Sequence, residues 1–170
     1  MNLFWLSLNM RRNARYHCDQ HMKMSLEAVQ LLYTAWWILV PSGEWRQNTP
    51  LNVRGTHGYL PTHENNSLAV WVRESRDNYL LCVEYALQIC YEYTKRYHRE
   101  HASQIHAEWM RDNVPPMLQS LGITPIPLAL KEKTMRKAQT MRDAVKAYRE
   151  FYKTKTFARY NHSKKPKWFK

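Results

Sequence analysis

Apolar residues recur every three or four positions along most of this 170-residue chain, which is the spacing of one face of an α-helix. The first such block runs roughly over residues 13–39 and ends at Pro41-Ser42-Gly43. The second begins near Ser67, a plausible N-cap, and continues to about residue 111, with a break expected near Ser103. The third covers roughly residues 131–160. No strand-like alternation persists, so the pattern predicts an all-α fold.

Proline and glycine separate these blocks and set the predicted domain organisation. Residues 41–65 contain three Pro and three of the four Gly residues of the chain. Long loops in small domains often carry binding elements, so we expect this loop to contribute to function. The sequence predicts a single compact helical domain over residues 1–160 and a basic, aromatic tail over residues 161–170.

Positive charge is concentrated at the end of the chain. The formal net charge is +12, and residues 131–170 hold 14 of the 26 Lys and Arg residues but only three of the 14 acidic residues. Cations neutralise phosphates and planar rings stack on exposed bases, so this segment predicts a nucleic-acid partner, with double-stranded DNA as the expected form. A solvated basic tail that aids solubility is the alternative. The residues predicted to bind here are Lys155, Arg159, Lys164, Lys165, Lys167 and Trp168.

The rest of the composition predicts a cytoplasmic protein. No apolar run reaches about 18 residues, and the first basic residues follow a short apolar stretch instead of preceding it, so we expect neither a membrane span nor a secretory signal. The three cysteines are odd in number and form no C-x-x-C pair, which favours reduced, buried thiols. The sequence does not predict an oligomeric state.

Candidate chemistry appears first between residues 16 and 27. His17 and His21 lie four residues apart, and Asp19, Lys23 and Glu27 form a second column with the same spacing. These groups could act at the rim of a cleft. Hydrogen-bonded histidines and ion pairs on a solvated face are the alternative. Because a zinc site needs three or four ligands, H-x-x-x-H alone is too weak a signal, and we predict no metal and no cofactor.

A second cluster lies where the long loop meets the second helical block. His63 is placed at this junction, where backbone N–H groups and the helix dipole favour an anion, and Arg73 follows within the helix. The pair could bind phosphate. An ordinary helix start with surface arginines is equally consistent with this pattern.

Short motifs at the two ends resemble the small phage pyrimidine-dimer DNA glycosylases, the endonuclease V type that nicks ultraviolet-damaged DNA. The matching residues are Asn2-Leu3, Asp19-Gln20-His21, Glu27 and Pro166-Lys167-Trp168-Phe169-Lys170. This resemblance implies a compact all-α fold. A wider pattern, which includes Trp71-Val72-Arg73 and Glu92-Tyr93, is similar to a set of uncharacterised phage and large-virus proteins and brings no activity with it.

The resemblance also implies a mechanism. An N-terminal amine attacks the sugar C1′ and forms a Schiff base, and a carboxylate assists elimination. Met1 would supply the amine and Glu27 the carboxylate, with His21, His17 and Asp19 as further catalytic candidates. The target region would be flipped out of a kinked duplex. The residues expected to hold phosphates of that duplex are Arg11, Arg12 and Arg15.

Three functions remain open at this point. The first is a DNA glycosylase or lyase, or a related enzyme acting on bases. The second is a non-catalytic phage nucleic-acid-binding protein with a regulatory or anti-host-defence role. The third is a nucleotide-level or other enzyme whose charged tail only recruits it to DNA. The position of Met1 separates them, because an amine in the same cleft as Glu27 favours the first.

Overall fold

The computed structural model describes residues 1–130 and 137–169 and is mostly α-helical, as the apolar periodicity predicts. Most of the third predicted block is described, but residues 131–136 and Lys170 lie outside the described part. Residues 126–127 and 137–138 form a short antiparallel pair of strands, with Ile126 opposite Ala138. The elements are α1 (Met10–Tyr16), α2 (Met24–Leu39), α3 (Ser67–Val72), α4 (Arg76–Tyr97), α5 (Gln104–Asp112), β1 (Ile126–Pro127), β2 (Lys137–Ala138) and α6 (Met141–Lys153).

Helix α4 lies at the centre of the fold and packs against α1, α2 and α5. The Ser75 side chain accepts a hydrogen bond from the Asn78 N–H and so caps the first turn. The helix ends at His98, which has a left-handed backbone with φ of +54°. A fully buried stripe at helical spacing faces the neighbouring helices: Tyr79, Cys82, Tyr85, Ala86 and Ile89.

The first residues of the chain run through the core without regular secondary structure. Residues 3–6 are all buried. The Phe4 N–H donates to the Tyr85 hydroxyl at 3.1 Å, and the Leu6 N–H donates to Asn13 Oδ1. Side chains therefore replace the strand partner that a buried backbone would otherwise need.

The first predicted helix is divided into two, which corrects the continuous block expected over residues 13–39. Helix α1 ends at Tyr16, a 3-10 turn covers Asp19–His21, and α2 begins at Met24. The Arg96 guanidinium donates to the carbonyl oxygens of His17 at 3.0 Å and Arg15 at 3.1 Å, so it satisfies the end of α1 from outside. The two i, i+4 columns predicted around His17 are therefore not columns of one helix.

The second predicted block is divided into α3, α4 and α5. Helix α4 ends at Tyr97 and α5 begins at Gln104, with Ser103 as its N-cap, so an interruption lies beside the expected position. A further break at Arg73–Ser75 was not predicted. There the Ser75 hydroxyl donates to the Gly122 carbonyl at 3.0 Å, which turns the chain. Asn66, one residue before the predicted cap, accepts the Leu68 N–H and caps α3.

The chain after α6 folds back against the helices. The Asp19 N–H donates to the Arg159 carbonyl at 2.9 Å, and the Asn161 N–H donates to Asp19 Oδ2 at 2.8 Å. The Trp168 ring meets those of Tyr16 and Tyr152 edge-on, with centroids 5.7 and 6.2 Å apart. Residues 161–169 are thus packed against the helical body. None of the helices in the described residues is long and apolar enough to cross a membrane.

Candidate functional site

The N-terminus and Glu27 meet at the first turn of α2. The Asn2 N–H donates to Glu27 Oε2 at 3.0 Å. The Asn2 side chain donates to the Ala129 carbonyl at 2.9 Å and accepts from the Tyr148 hydroxyl at 3.1 Å. The α-amine of Met1 is three covalent bonds from the Asn2 nitrogen, so it lies at most about 7 Å from Glu27 Oε2.

Met1 and Glu27 are both half-buried, and the structure brings these two predicted catalytic residues together. Three hydrogen bonds fix Asn2 between them, so the approach of the amine to the carboxylate is set by the fold. We call Met1, Asn2 and Glu27 together the N-terminal site.

His17 is fully buried and hydrogen-bonded at both ring nitrogens. Its Nδ1 lies 2.8 Å from the Asn13 carbonyl, and its Nε2 lies 2.9 Å from the Tyr85 hydroxyl. Because a carbonyl only accepts, Nδ1 carries the proton and Nε2 accepts from Tyr85. Burial lowers the pKa of His17 to about 4, so the ring is neutral near pH 7. Tyr85 in turn accepts the Phe4 N–H, so His17 helps to hold the N-terminal segment.

His21 is also buried and neutral. Its Nδ1 lies 2.7 Å from the Tyr152 hydroxyl, which accepts the Cys18 N–H at 2.8 Å. The ring stacks on Phe4 with centroids 4.7 Å apart. Burial, and after it the proximity of His17 and Lys155, lowers the pKa of His21 to about 3. Phe4 therefore connects both histidines to the N-terminal segment: Tyr85 bonds to His17 and to the Phe4 N–H, and His21 stacks on the Phe4 ring. The two histidines do not share one face of a helix.

Asp19 makes an ion pair with Arg96 and hydrogen bonds with residues after α6, and so connects the C-terminal segment to α4. Its carboxylate lies 3.2 Å from Arg96 Nη1 and accepts the Asn161 N–H at 2.8 Å. His162 Nδ1 lies 3.3 Å from the same group. These contacts are made with α4 and with residues after α6, and none is made with Met1 or Glu27.

A cleft of about 530 Å³ lies between residues 7–12 and α6, and we call it the basic groove. Its lining includes one carboxylate, Glu150, which pairs with Lys153 at 2.8 Å. The cations on α6 follow steps of four, three and four residues, so they form one stripe. The cationic side chains that line the described groove are Arg12, Arg142, Lys146, Arg149 and Lys153.

Arg149 is the best-fixed cation of the basic groove. Its Nε donates to the Leu6 carbonyl at 2.8 Å. Its guanidinium lies 5.1 Å from the Trp168 ring centroid and 5.6 Å from that of Tyr16. A guanidinium held on two ring faces presents its remaining N–H groups in a defined direction, which suits phosphate recognition.

The predicted arginines of α1 divide between two surfaces. Arg12 lines the basic groove, whereas Arg11 and Arg15 line a second cleft of about 470 Å³ with Tyr91 and Lys95 of α4. The sequence pattern did not single out Arg142 or Lys146 as binding residues. Their spacing on α6 is the signal that could have found them.

Two of the predicted binding residues of the C-terminal segment pack against the body of the protein. The Lys155 ammonium lies 4.3 Å from the Phe151 ring centroid and 5.6 Å from that of Phe4. Trp168 is half-buried against Tyr16 and Tyr152, and it also lines the basic groove.

The other predicted cations of this segment are solvent-accessible. Lys165 lies over the Phe169 ring at 5.0 Å. The predicted binding cations that are exposed are Arg159, Lys164, Lys165 and Lys167.

Arg73 directly follows α3 as its C-cap, and His63 lies in the loop four residues before the helix begins. His63 is exposed, has a left-handed backbone with φ of +50°, and its Nδ1 lies 2.7 Å from the Thr62 hydroxyl. Arg73 donates to the Glu64 carbonyl at 2.8 Å. Neither residue lines the basic groove.

Residues 1–130 and 137–169 contain no group of three His, Cys, Asp or Glu side chains placed to hold a metal ion. Comparisons of the chain with protein-family models, with curated proteins and with solved structures found no match. The geometry of the N-terminal site and of the basic groove is therefore the evidence that bears on function.

Proposed function

We propose that this protein is a DNA-binding enzyme that acts on bases or abasic sites through a Schiff base. The α-amine of Met1 is the nucleophile and Glu27 is the proton acceptor. The hydrogen bond from the Asn2 N–H to Glu27 Oε2 carries the proposal, because it joins the start of the chain to a half-buried carboxylate.

The chemistry needs both groups in one place. The amine adds to C1′ of an abasic sugar and loses water, which gives an imine. Glu27 then accepts a proton from C2′. The electron pair of that C–H bond forms a double bond between C2′ and C3′, and the 3′ phosphate leaves as the C3′–O bond breaks. At an intact nucleotide the amine replaces the base at C1′, and the base leaves with the proton that the amine loses. Because C2′ is bonded to the carbon that the amine attacks, a carboxylate within a few ångströms of the amine suits this sequence.

Buried side chains support the nucleophile without touching the substrate. Asn2 fixes the peptide that follows Met1, and its partners Ala129 and Tyr148 come from distant parts of the chain. His17 acts through Tyr85, which holds the Phe4 N–H. In this proposal His17, like His21, is a positioning residue.

The basic groove supplies the DNA contact. Residues 7–9 line it, and Asn2 lies five residues earlier, so the groove begins at most about 17 Å along the chain from the N-terminal site. Tyr148, which holds Asn2, precedes Arg149, which lines the groove. A duplex phosphate backbone on α6 would therefore run beside the N-terminal site.

The proposal is tested by trapping the imine. With a duplex containing one abasic site, sodium borohydride should produce a stable protein–DNA cross-link that maps to Met1. Glu27→Gln keeps the shape of the side chain and removes its charge, so strand cleavage should fall by about 10²–10⁴-fold while DNA binding persists. Glu84→Gln is the matched control, because Glu84 is an exposed carboxylate on α4.

A non-catalytic nucleic-acid-binding protein is the second candidate. It is favoured by the engagement of His17, His21 and Asp19 in hydrogen bonds within the fold. The same experiment separates the two candidates. Tight binding with neither cross-link nor cleavage on abasic or damaged duplexes would reject the enzyme and leave the binding protein.

A further inference from the structure

A third cavity, of about 610 Å³, lies under the long loop and is separate from the N-terminal site and the basic groove. We call it the loop pocket. Its walls come from α2, from residues 46–62 and from the turn before α5. The volume falls within the range of pockets that hold small organic ligands, about 300–1,000 Å³. Its apolar walls include Leu26, Val53, Tyr59, Leu60 and Pro61.

The loop pocket carries positive charge. Arg46 and Arg54 line it, and no Asp or Glu does so among the described residues. Arg46 donates from Nε to the His57 carbonyl at 2.8 Å, and its guanidinium lies 5.8 Å from the Trp37 ring centroid. Arg54 is exposed and lies in the long loop, between Leu51 and His57, which form an isolated antiparallel bridge. An anionic group is therefore favoured where Arg46 and Arg54 line the pocket.

Gln30 offers a recognition group inside the pocket. The residue is half-buried, and its side-chain amide makes no hydrogen bond to any residue of the described ranges. Its backbone takes part in helix α2, and the Thr34 hydroxyl donates to its carbonyl at 2.8 Å. A primary amide offers a donor and an acceptor side by side, which is the complement of a heterocyclic base edge.

Hydrogen bonds within the loop and to α2 hold the loop that covers the pocket. The Asn52 N–H donates to the Thr56 carbonyl at 2.8 Å, and the Trp37 indole donates to the Tyr59 carbonyl at 3.0 Å. At Gly58, with φ of +58°, a Cβ would lie 2.6 Å from the Tyr33 ring, so the close approach of loop and helix requires glycine. A preformed pocket loses little free energy on ordering when a ligand binds.

We propose that the loop pocket binds a nucleoside monophosphate or an organic anion of that shape. The planar base packs against the wall formed by Leu26, Tyr59 and Pro61, its edge meets the amide of Gln30, and the phosphate lies at Arg46 and Arg54. This site is lined by neither Met1 nor Glu27, so the Schiff-base test can fail without affecting it.

The test is isothermal titration of the full chain with AMP, with adenosine and with inorganic phosphate at low salt. AMP should bind at least about tenfold more tightly than either fragment, because only AMP supplies both the ring and the anion. Arg54→Ala should weaken AMP binding about tenfold, and Gln30→Ala should weaken AMP and adenosine alike. Both side chains are peripheral to the core, so the fold should persist.

Arg142→Ala is the matched control, because it removes a cation from the basic groove. It should leave AMP binding unchanged. The proposal is overturned if AMP does not bind at millimolar concentration, or if Arg142→Ala weakens AMP binding and Arg54→Ala does not. It is also overturned if inorganic phosphate binds as tightly as AMP, or if neither Arg54→Ala nor Gln30→Ala changes the affinity.

Discussion

His17, His21 and His106 share an environment that keeps their rings neutral. Each is buried, and each has a ring nitrogen within 2.8 Å of a carbonyl or tyrosine hydroxyl oxygen. Burial lowers the pKa to about 4 for His17 and His106 and to about 3 for His21. A charged imidazolium at any of these positions would lie in the core with no carboxylate hydrogen-bonded to it among the described residues.

These histidines predict a stability that depends on pH. In the unfolded chain the rings take up protons as the pH falls through about 6.5, whereas in the folded protein they do so only near pH 4 or 3. The stability they contribute is therefore present above about pH 6.5 and is lost as the pH falls toward 4. Within that window, each of the three buried histidines should lower the free energy of unfolding by about 1.4 kcal/mol for every unit by which the pH falls.

Urea unfolding at pH 7, 6 and 5 measures this dependence. His17→Gln should reduce the slope of the free energy of unfolding against pH by about one proton. His98→Asn is the control, because His98 is exposed and asparagine tolerates its left-handed backbone. Equal stability at pH 7 and pH 5 would contradict the lowered pKa values of the buried histidines.

At the scale of elements, helix α6 carries the stripe of cations that lines the basic groove. The salt dependence of DNA binding can therefore show whether this groove or another surface contacts DNA. Arg142→Ala with Lys146→Ala removes two cations from the basic groove. The slope of log K against log salt should become less negative by about 1.8, because two phosphate contacts are lost. Fluorescence anisotropy with a labelled duplex between about 50 and 200 mM salt measures it.

The matched control for this experiment is Lys164→Ala with Lys167→Ala, which removes two exposed cations of the C-terminal segment. A smaller change is expected there. If the control pair changes the slope and the α6 pair does not, the C-terminal segment and not the basic groove contacts DNA.

Periodicity predicts the helices well but not their interruptions. The break between α1 and α2 leaves the apolar spacing intact, because both helices pack against the same core and their buried residues continue the pattern. What ends α1 is Arg96, 80 positions after Tyr16 in the chain. A contact of that kind has no local signal. By contrast, the break at Ser103 follows polar residues that a local pattern can reveal.

At the scale of the whole molecule, charge reveals the C-terminal segment but not its packing. The sequence shows cations and aromatic rings together, and both predict a binding surface. In the structure Trp168 and Phe169 pack on Tyr152, while Lys164 and Lys167 remain exposed. Aromatic side chains serve packing and base stacking equally well, so composition alone could not separate these roles.

Trp168→Ala should therefore destabilise the fold as well as alter binding. Loss of its contacts with Tyr16, Tyr152 and Arg149 should lower the free energy of unfolding by about 2 kcal/mol, less than for a fully buried tryptophan. Urea denaturation measures this change. The neighbouring Lys167→Ala should change stability by no more than about 0.5 kcal/mol. Equal stability of the two variants would show that residues 161–169 do not stabilise the body.

The resemblance predicts the N-terminal site as a pairing of Met1 with Glu27, and the hydrogen bond of Asn2 to Glu27 gives it a geometric basis. The partners Ala129 and Tyr148 could not be predicted, because they lie 127 and 146 positions from Asn2. Long-range pairings of this kind follow from the tertiary fold and leave no periodic signal.

The hydrogen bonds of Asn2 with Ala129 and Tyr148 also affect the order in which the chain folds during its synthesis. Asn2 is synthesised well before Tyr148, whose hydroxyl follows roughly 7–30 s later at typical synthesis rates of about 5–20 residues per second. Until then the ring contacts of Phe4 with Tyr148, Phe151 and Tyr152 are missing, although Trp5 can already pack against Trp71 and Tyr85. Nascent chains arrested before α6 should accordingly be more protease-sensitive at residues 2–4 than chains that include α6.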